Sequence, residues 1–135
     1  MKELHKEDFA SRGEPSVRFD KCGEIKINKA GVEHLRLKEI GIPFVCIFQG
    51  EDRECHNFFI KKSSSGWGLR SGPDGSLRFN CAAMAKLVIK ETWESHVHPA
   101  GDTWNRPKAY TLHIALVPID NENNKDVFAL IRKKV

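Results

Sequence analysis

The sequence lacks any long hydrophobic run. None of its apolar segments approaches the roughly 20 residues that a membrane-spanning helix needs, and residues 1–8 mix charges where a signal peptide has an apolar centre. These two absences predict a protein that has no membrane partner and that resides in the cytoplasm.

The motifs of common enzyme classes are also missing. The sequence contains no GxSxG nucleophile elbow, no phosphate-binding P-loop and no GxGxxG dinucleotide fingerprint. His96 and His98 are the one arrangement typical of a metal site, because imidazoles two residues apart share one face of a strand. No second ligand cluster accompanies them, and Pro99 indicates a loop at this point. We therefore expect no enzymatic activity, no cofactor and no metal.

Cysteine is scarce and its spacing is uninformative. The four cysteines form no CxxC pair, which argues against a zinc site and gives no support to a disulfide framework. We predict free thiols, mostly buried. The cysteines are Cys22, Cys46, Cys55 and Cys81.

What the sequence does contain is the composition of one globular domain. It has 135 residues, of which 40% are hydrophobic and 30% are charged, and this length is typical of a single domain with its own core. Residues 1–15 are polar and lack periodicity, so we predict a mobile N-terminal arm. Residues 16–135 are predicted to form a single α+β domain.

Alternation of apolar and polar side chains predicts a twisted, mainly antiparallel sheet. Two short runs, 17–19 and 24–28, favour a hairpin, and a long terminal hairpin is predicted over 110–119 and 127–132. The other predicted strands are 44–48, 57–62, 67–70 and 76–79. Residues 91–109 have no clear period and are predicted to be a loop of unassigned role.

Two short helices are predicted, each following a strand. Asn28 and Asn80 stand where an N-cap is expected, because the Asn side chain accepts a hydrogen bond from a free backbone N–H of the first turn. The helices follow at 29–37 and 81–90, and Met84, Leu87 and Val88 are the predicted apolar stripe of the second.

The two strand–helix junctions have similar sequences. Residues 23–35 align with residues 75–87, with identical Gly, Asn, Ala and Leu and with equivalent residues between them. Two interpretations remain open. The similarity reflects either an internal repeat, with the terminal hairpin completing the first unit in space, or the general pattern of any strand that enters a capped helix.

Residues 44–90, read as four strands and a helix, resemble the single-stranded-DNA-binding fold of the Whirly, Pur and transcriptional-coactivator type. The strand Gly75-Ser-Leu-Arg-Phe79 entering its helix carries the resemblance most clearly. The resemblance implies a curved sheet that contacts nucleic acid on one face while the helix packs on the other.

A second resemblance covers residues 23–48. Gly23-Glu-Ile-Lys-Ile-Asn-Lys29, followed by Leu35-Arg-Leu-Lys-Glu39 and by residues 44–48, is similar to the swapped-hairpin DNA-binding regulators of the AbrB/SpoVT family. This chain departs from the family pattern at Asn28, where Pro is usual, and at Ile40, where Gly is usual. This resemblance also implies DNA binding, but with a different architecture.

The charge distribution favours the same function. The net charge is only +4, yet between positions 55 and 90 six basic residues stand against Asp74 alone. Basic residues between paired hydrophobes are expected on the outer face of the sheet, where they can neutralise phosphates, and an aromatic ring can stack a base. The predicted nucleic-acid-binding residues are Arg18, Lys26, Lys61, Trp67, Arg70 and Arg78.

The predicted function is therefore binding of nucleic acid, either single-stranded or regulatory DNA, through a basic sheet face. The alternative is a protein-interaction or assembly module without nucleic-acid contact. In that case the 110–132 hairpin is expected to form a homodimer, because its apolar strands need cover.

Overall fold

The computed structural model describes residues 14–37, 44–54, 57–63, 65–72, 74–96, 108–119 and 126–132. Within them lie nine strands, two α-helices and a short 3-10 turn at Asp52–Glu54. The strands are β1 (Ser16–Asp20), β2 (Glu24–Ile27), β3 (Phe44–Gln49), β4 (Phe58–Ser63), β5 (Trp67–Gly68), β6 (Arg70–Ser71), β7 (Leu77–Asn80), β8 (Ala109–Ile114) and β9 (Val127–Arg132). The helices are α1 (Lys29–His34) and α2 (Ala82–His96).

All nine strands belong to one sheet, in the order β5-β3-β4-β9-β8-β1-β2-β7-β6. Every pairing in it is antiparallel. The first and last strands of this order are neighbours in sequence, separated by Leu69 alone. The sheet therefore curls until it nearly closes on itself, and the α+β class with a mainly antiparallel sheet is confirmed.

One face of the sheet and both helices enclose a single hydrophobic core. The alternation predicted for the first hairpin is confirmed, because Val17, Phe19, Ile25 and Ile27 are all fully buried. The core continues through Leu77 and Phe79 of β7, Ile60 of β4 and Leu112 of β8. The residues between these positions consequently lie on the opposite, outer face.

Helix α1 begins as predicted. The Asn28 Oδ1 atom accepts a hydrogen bond from the backbone N–H of Gly31 at 2.7 Å and a second from Ser16 at 3.0 Å, so one side chain caps the helix and fastens β1. A β-carbon at Gly31 would lie 2.8 Å from the Ile27 Cγ2 atom and 3.1 Å from the Ile114 Cδ1 atom. Glycine therefore permits the close approach of this helix to the sheet.

Helix α2 differs from the prediction in its length, its start and its buried side. It runs to His96 and not to Lys90, so part of the expected 91–109 loop is helical. It begins at Ala82, which leaves Cys81 at the cap position and Asn80 in β7.

The buried side of α2 consists of Ala85, Val88, Ile89 and Thr92, whereas the expected stripe member Leu87 is 39% exposed. Positions 85, 88, 89 and 92 have the three- and four-residue spacing of one helix face. Only Val88 of the predicted stripe is fully buried. The helix face that packs against the sheet is shifted by about one residue from the face that the sequence pattern predicts.

Two further expectations need correction. Strand β8 ends at Ile114 and does not continue to residue 119, and Leu116 and Val117 are 72% and 74% exposed. The terminal hairpin does form, with Leu112 opposite Arg132. The expected arm at 1–15 lies outside the described residues except for Glu14 and Pro15, and His98 also lies outside them.

No helix in the described part of the chain is long and apolar enough to cross a membrane.

Candidate nucleic-acid interface

Four of the six predicted binding residues lie in one row across the outer face of the sheet. Arg18 of β1 is directly opposite Lys26 of β2, Lys26 is opposite Arg78 of β7, and Arg78 is opposite Arg70 of β6. Directly opposite residues of antiparallel strands project to the same face. With adjacent strands about 4.8 Å apart, this cation row is about 14 Å long.

Like charges directly opposite each other repel, and carboxylates relieve the repulsion in the cation row. The Lys26 Nζ atom lies 2.9 Å from the Asp74 Oδ2 atom, and the Arg78 Nη1 atom lies 3.4 Å from the Glu24 Oε2 atom. A looser pair joins Arg18 to Asp20 at 4.0 Å. This partial neutralisation by neighbouring carboxylates weighs against the predicted polyanion site.

Asp74 is the most strongly held of these acids. Its Oδ1 atom accepts a hydrogen bond from the Ser76 hydroxyl, and its Oδ2 atom contacts Lys26. The Ser76 hydrogen bond, followed by that of Lys26, holds the pKa of Asp74 well below its usual range. The pKa of Asp20 is also lowered, first by the hydrogen bond that its Oδ1 atom accepts from the Cys22 backbone N–H at 3.0 Å. Both acids are therefore carboxylates at neutral pH.

Arg70 ends the cation row without such a partner. Within the described residues, the ion pairs of the row involve Arg18, Lys26 and Arg78, and no carboxylate lies within ion-pair distance of Arg70. Arg70 is exposed on a two-residue strand. Within the described residues, its guanidinium is thus the charge of the row that has no carboxylate partner.

The other two predicted binding residues lie elsewhere. Lys61 is on β4, which β9 and β8 separate from β1 in the strand order. Trp67 lies opposite the buried Val45, and its ring stacks on the buried Phe79 ring at a centroid distance of 5.3 Å. Trp67 therefore projects to the core side of the sheet, where it remains 38% exposed, and not to the side of the cation row.

A cleft lies beside the cation row, at the end of β8. It has a volume of about 490 Å³, and its walls include Pro15, His113, Leu116 and Ile131. The His113 Nδ1 atom lies 2.7 Å from the Glu14 Oε2 atom. Sequence analysis missed this cleft, because its walls come from segments far apart in the chain and the only local signal, Leu116 with Val117, was read as strand.

Within the described residues, no group of three His, Cys, Asp or Glu side chains converges as a metal site does. Cys22, Cys46 and Cys81 are free thiols, but Cys22 is exposed and the other two are half-buried, so the predicted burial is wrong for these three. Cys55 and the side chains of the His96 and His98 pair lie outside the part of the chain that can be described.

Comparisons of the chain with protein-family models, with curated proteins and with solved structures gave no match.

Proposed function

We propose that this protein binds nucleic acid through the cation row on the outer face of its sheet. The observation that carries the proposal is the direct opposition of Arg18, Lys26, Arg78 and Arg70 on four adjacent strands. Like charges in register destabilise a sheet, and within the described residues carboxylates pair with three of these four cations. A chain of phosphates that crosses the strands offsets that repulsion.

An internal two-fold relationship gives the cation row its regularity, and we include it in the proposal. Arg18 and Lys26 are opposite each other in the first strand–helix unit, as Arg70 and Arg78 are in the second. An offset of 52 residues relates both pairs. The two units then meet at the Lys26–Arg78 pair.

Contacts between the two units support this symmetry because they are reciprocal. The Gly23 turn packs against Ala82 at the start of α2, and the Gly75 turn packs against Lys29 at the start of α1. Each turn thus contacts the helix of the other unit, as in a two-fold interface. From either end, the row presents an arginine followed by a second cation to a bound strand.

The carboxylates beside the row do not oppose this function strongly. Ion pairs between exposed side chains contribute about 0–1 kcal/mol, so a phosphate oxygen replaces a carboxylate oxygen on Lys26 or Arg78 at small cost. Arg70 has no carboxylate partner among the described residues, so a phosphate displaces none there. We infer moderate affinity with a marked dependence on salt concentration.

A salt titration with matched variants tests the proposal. Fluorescein-labelled single-stranded and duplex DNA of mixed sequence are titrated at increasing salt. If the protein contacts four phosphates of a single strand, the plot of log K against log salt concentration should have a slope of about −3. The double variant Lys26→Gln with Arg78→Gln should reduce affinity at least tenfold and flatten the slope. The control, Lys86→Gln with Lys90→Gln on the exposed side of α2, should leave both unchanged.

Neutral glutamine avoids the repulsion from Asp74 and Glu24 that an introduced acid would create. Absence of binding to every oligonucleotide at low salt would end the proposal, as would equal losses in the row variant and the helix control.

A second candidate function is self-assembly, which the exposed apolar side chains of Leu116, Val117 and Ile131 favour. It does not involve strand pairing by the terminal hairpin, because β8 already pairs with β1 and β9 already pairs with β4. Sedimentation velocity over a range of protein concentrations distinguishes the candidates. A dimer that Ile131→Glu dissociates would favour assembly.

A further inference from the structure

The cleft at the end of β8 opens on the same face of the sheet as the cation row. His113 lies opposite Ser16 of β1 and opposite Ile131 of β9, and its two neighbours Leu112 and Ile114 are buried. His113 and Ile131 therefore project outward, as Arg18 does.

The cleft is adjacent to the end of the cation row. Thr111 is directly opposite Arg18, and His113 is the next outward residue along β8. Such diagonal neighbours on one face lie about 7–8 Å apart. A polymer bound to Arg18 through a phosphate is thus within one side-chain length of the cleft.

The walls of the cleft combine an apolar surface with a polar rim. Ile131 is 50% exposed and Leu116 is 72% exposed, and Pro15 adds a third apolar surface. The polar part is the Glu14–His113 pair, whose carboxylate and imidazole can form hydrogen bonds with polar groups of an occupant. An occupant with flat apolar faces and a polar edge matches this arrangement.

A nucleobase has those properties, and it is free to enter a cleft only when it is not paired and stacked inside a duplex. Building on the proposed function, we infer that the cleft between Pro15, Leu116 and Ile131 takes one unpaired base of a strand whose backbone lies on the cation row. The protein is then selective for single-stranded nucleic acid. The cation row supplies affinity for the backbone, and the cleft supplies discrimination against the duplex.

The test compares three probes of equal length at one salt concentration. They are a single-stranded oligonucleotide, its duplex, and an abasic strand that retains the sugar–phosphate backbone. The single strand is expected to bind about fivefold or more tightly than either of the others, because one stacked base contributes about 1–3 kcal/mol.

Variants of the cleft complete the test. Leu116→Ser and Ile131→Ser should weaken single-strand binding about tenfold while leaving abasic binding unchanged. Leu116 is so exposed that its substitution leaves the fold intact, as a thermal melt would verify. The control is Phe48→Ser, which changes an exposed apolar residue on β3, away from the cleft.

The outcomes distinguish failure of the base-binding cleft from failure of the proposed function. Equal binding of all three probes, with loss only in the Lys26 and Arg78 variant, overturns the base cleft and retains the proposed function. Cleft variants that alter self-association and not DNA binding also overturn the inference, in favour of a protein partner. No binding of any probe removes the proposed function and the inference together.

Discussion

Lys26 and Arg78 lie directly opposite each other on β2 and β7, and each pairs with an acid that lies on or next to the other strand. Lys26 contacts Asp74, which precedes β7, whereas Arg78 contacts Glu24 at the start of β2. The two like charges are thereby held side by side, and under the proposed function the acids that hold them are the groups that a phosphate would have to displace.

Removal of those acids should strengthen binding. Asp74→Asn and Glu24→Gln release Lys26 and Arg78, and each is expected to raise affinity for single-stranded DNA about two- to fivefold, since an exposed ion pair is worth up to about 1 kcal/mol. Fluorescence anisotropy measures the change. Glu33→Gln on the exposed side of α1 removes the same charge at a distance from the row. An equal gain in that control would show a general charge effect and argue against the cation row.

Acid should remove the contribution of Asp74 to stability. Because the pKa of Asp74 is lowered in the folded state, its carboxylate stabilises the protein above its ordinary pKa of 3.8, and this contribution is lost as the pH falls through the lower folded value.

The measurement is the difference in unfolding free energy between the wild type and Asp74→Asn in urea at several pH values. The difference should be constant from pH 5 to 7 and should shrink below about pH 4. A difference that grows on acidification would contradict the assignment. Because its lowered pKa keeps Asp74 ionised near neutrality, we expect this residue to contribute no pH dependence to DNA binding there.

The Asn28 side chain should contribute more to the stability of the protein than Asn80, the residue that aligns with it in the sequence. Asn28→Ala leaves the backbone N–H groups of Gly31 and Ser16 without their acceptor, and we expect destabilisation of about 1–2 kcal/mol. Asn80→Ala is the matched control, because Asn80 is an exposed strand residue, and it should change stability by less than about 0.5 kcal/mol. The free energy of unfolding of both variants is measured by urea denaturation. Equal losses of stability would mean that the helix cap at Asn28 does not cause the destabilisation.

Gly31→Ala should destabilise the protein despite the higher helix propensity of alanine. The propensity gain is about 0.5–1 kcal/mol, but the new methyl group would lie 2.8 Å from the Ile27 Cγ2 atom in a packed region. Overpacking of this kind costs about 1–3 kcal/mol, so we expect a net loss in thermal stability.

Gly68→Ala is the control for this substitution, since its methyl group would meet the Phe44 ring at an ordinary contact distance of 3.5 Å. A Gly31→Ala protein that melts higher than the wild type would show that α1 has room to move away from the sheet.

Local patterns were sufficient for most of the fold. The alternation around Ile25 and Ile27 correctly located β2 and its buried face, and Asn28 correctly marked the start of α1. Patterns failed where burial depends on distant segments. Leu116 and Val117 have the composition of a strand, but no element of the described part of the chain covers them, and β8 ends before them.

The candidate site was predictable only in part for the same reason. Sequence alternation places Lys26 and Arg78 on an outer face, but their opposition depends on the pairing of strands 52 residues apart. The neutralising role of Asp74 was hidden because that residue belongs to a turn. Trp67 was predicted as a binding residue, but the pairing of β5 with β3 brings its ring onto Phe79.

Leu69 separates two very short strands that hydrogen-bond to opposite ends of the sheet, β5 to β3 and β6 to β7. A long uncovered edge is what allows a sheet to recruit strands from other molecules and to grow into insoluble fibres. In the part of the chain described, one five-residue stretch occupies both ends of the strand order and leaves little backbone for such recruitment. A single leucine thus links the two positions from which aggregation of this sheet would otherwise start.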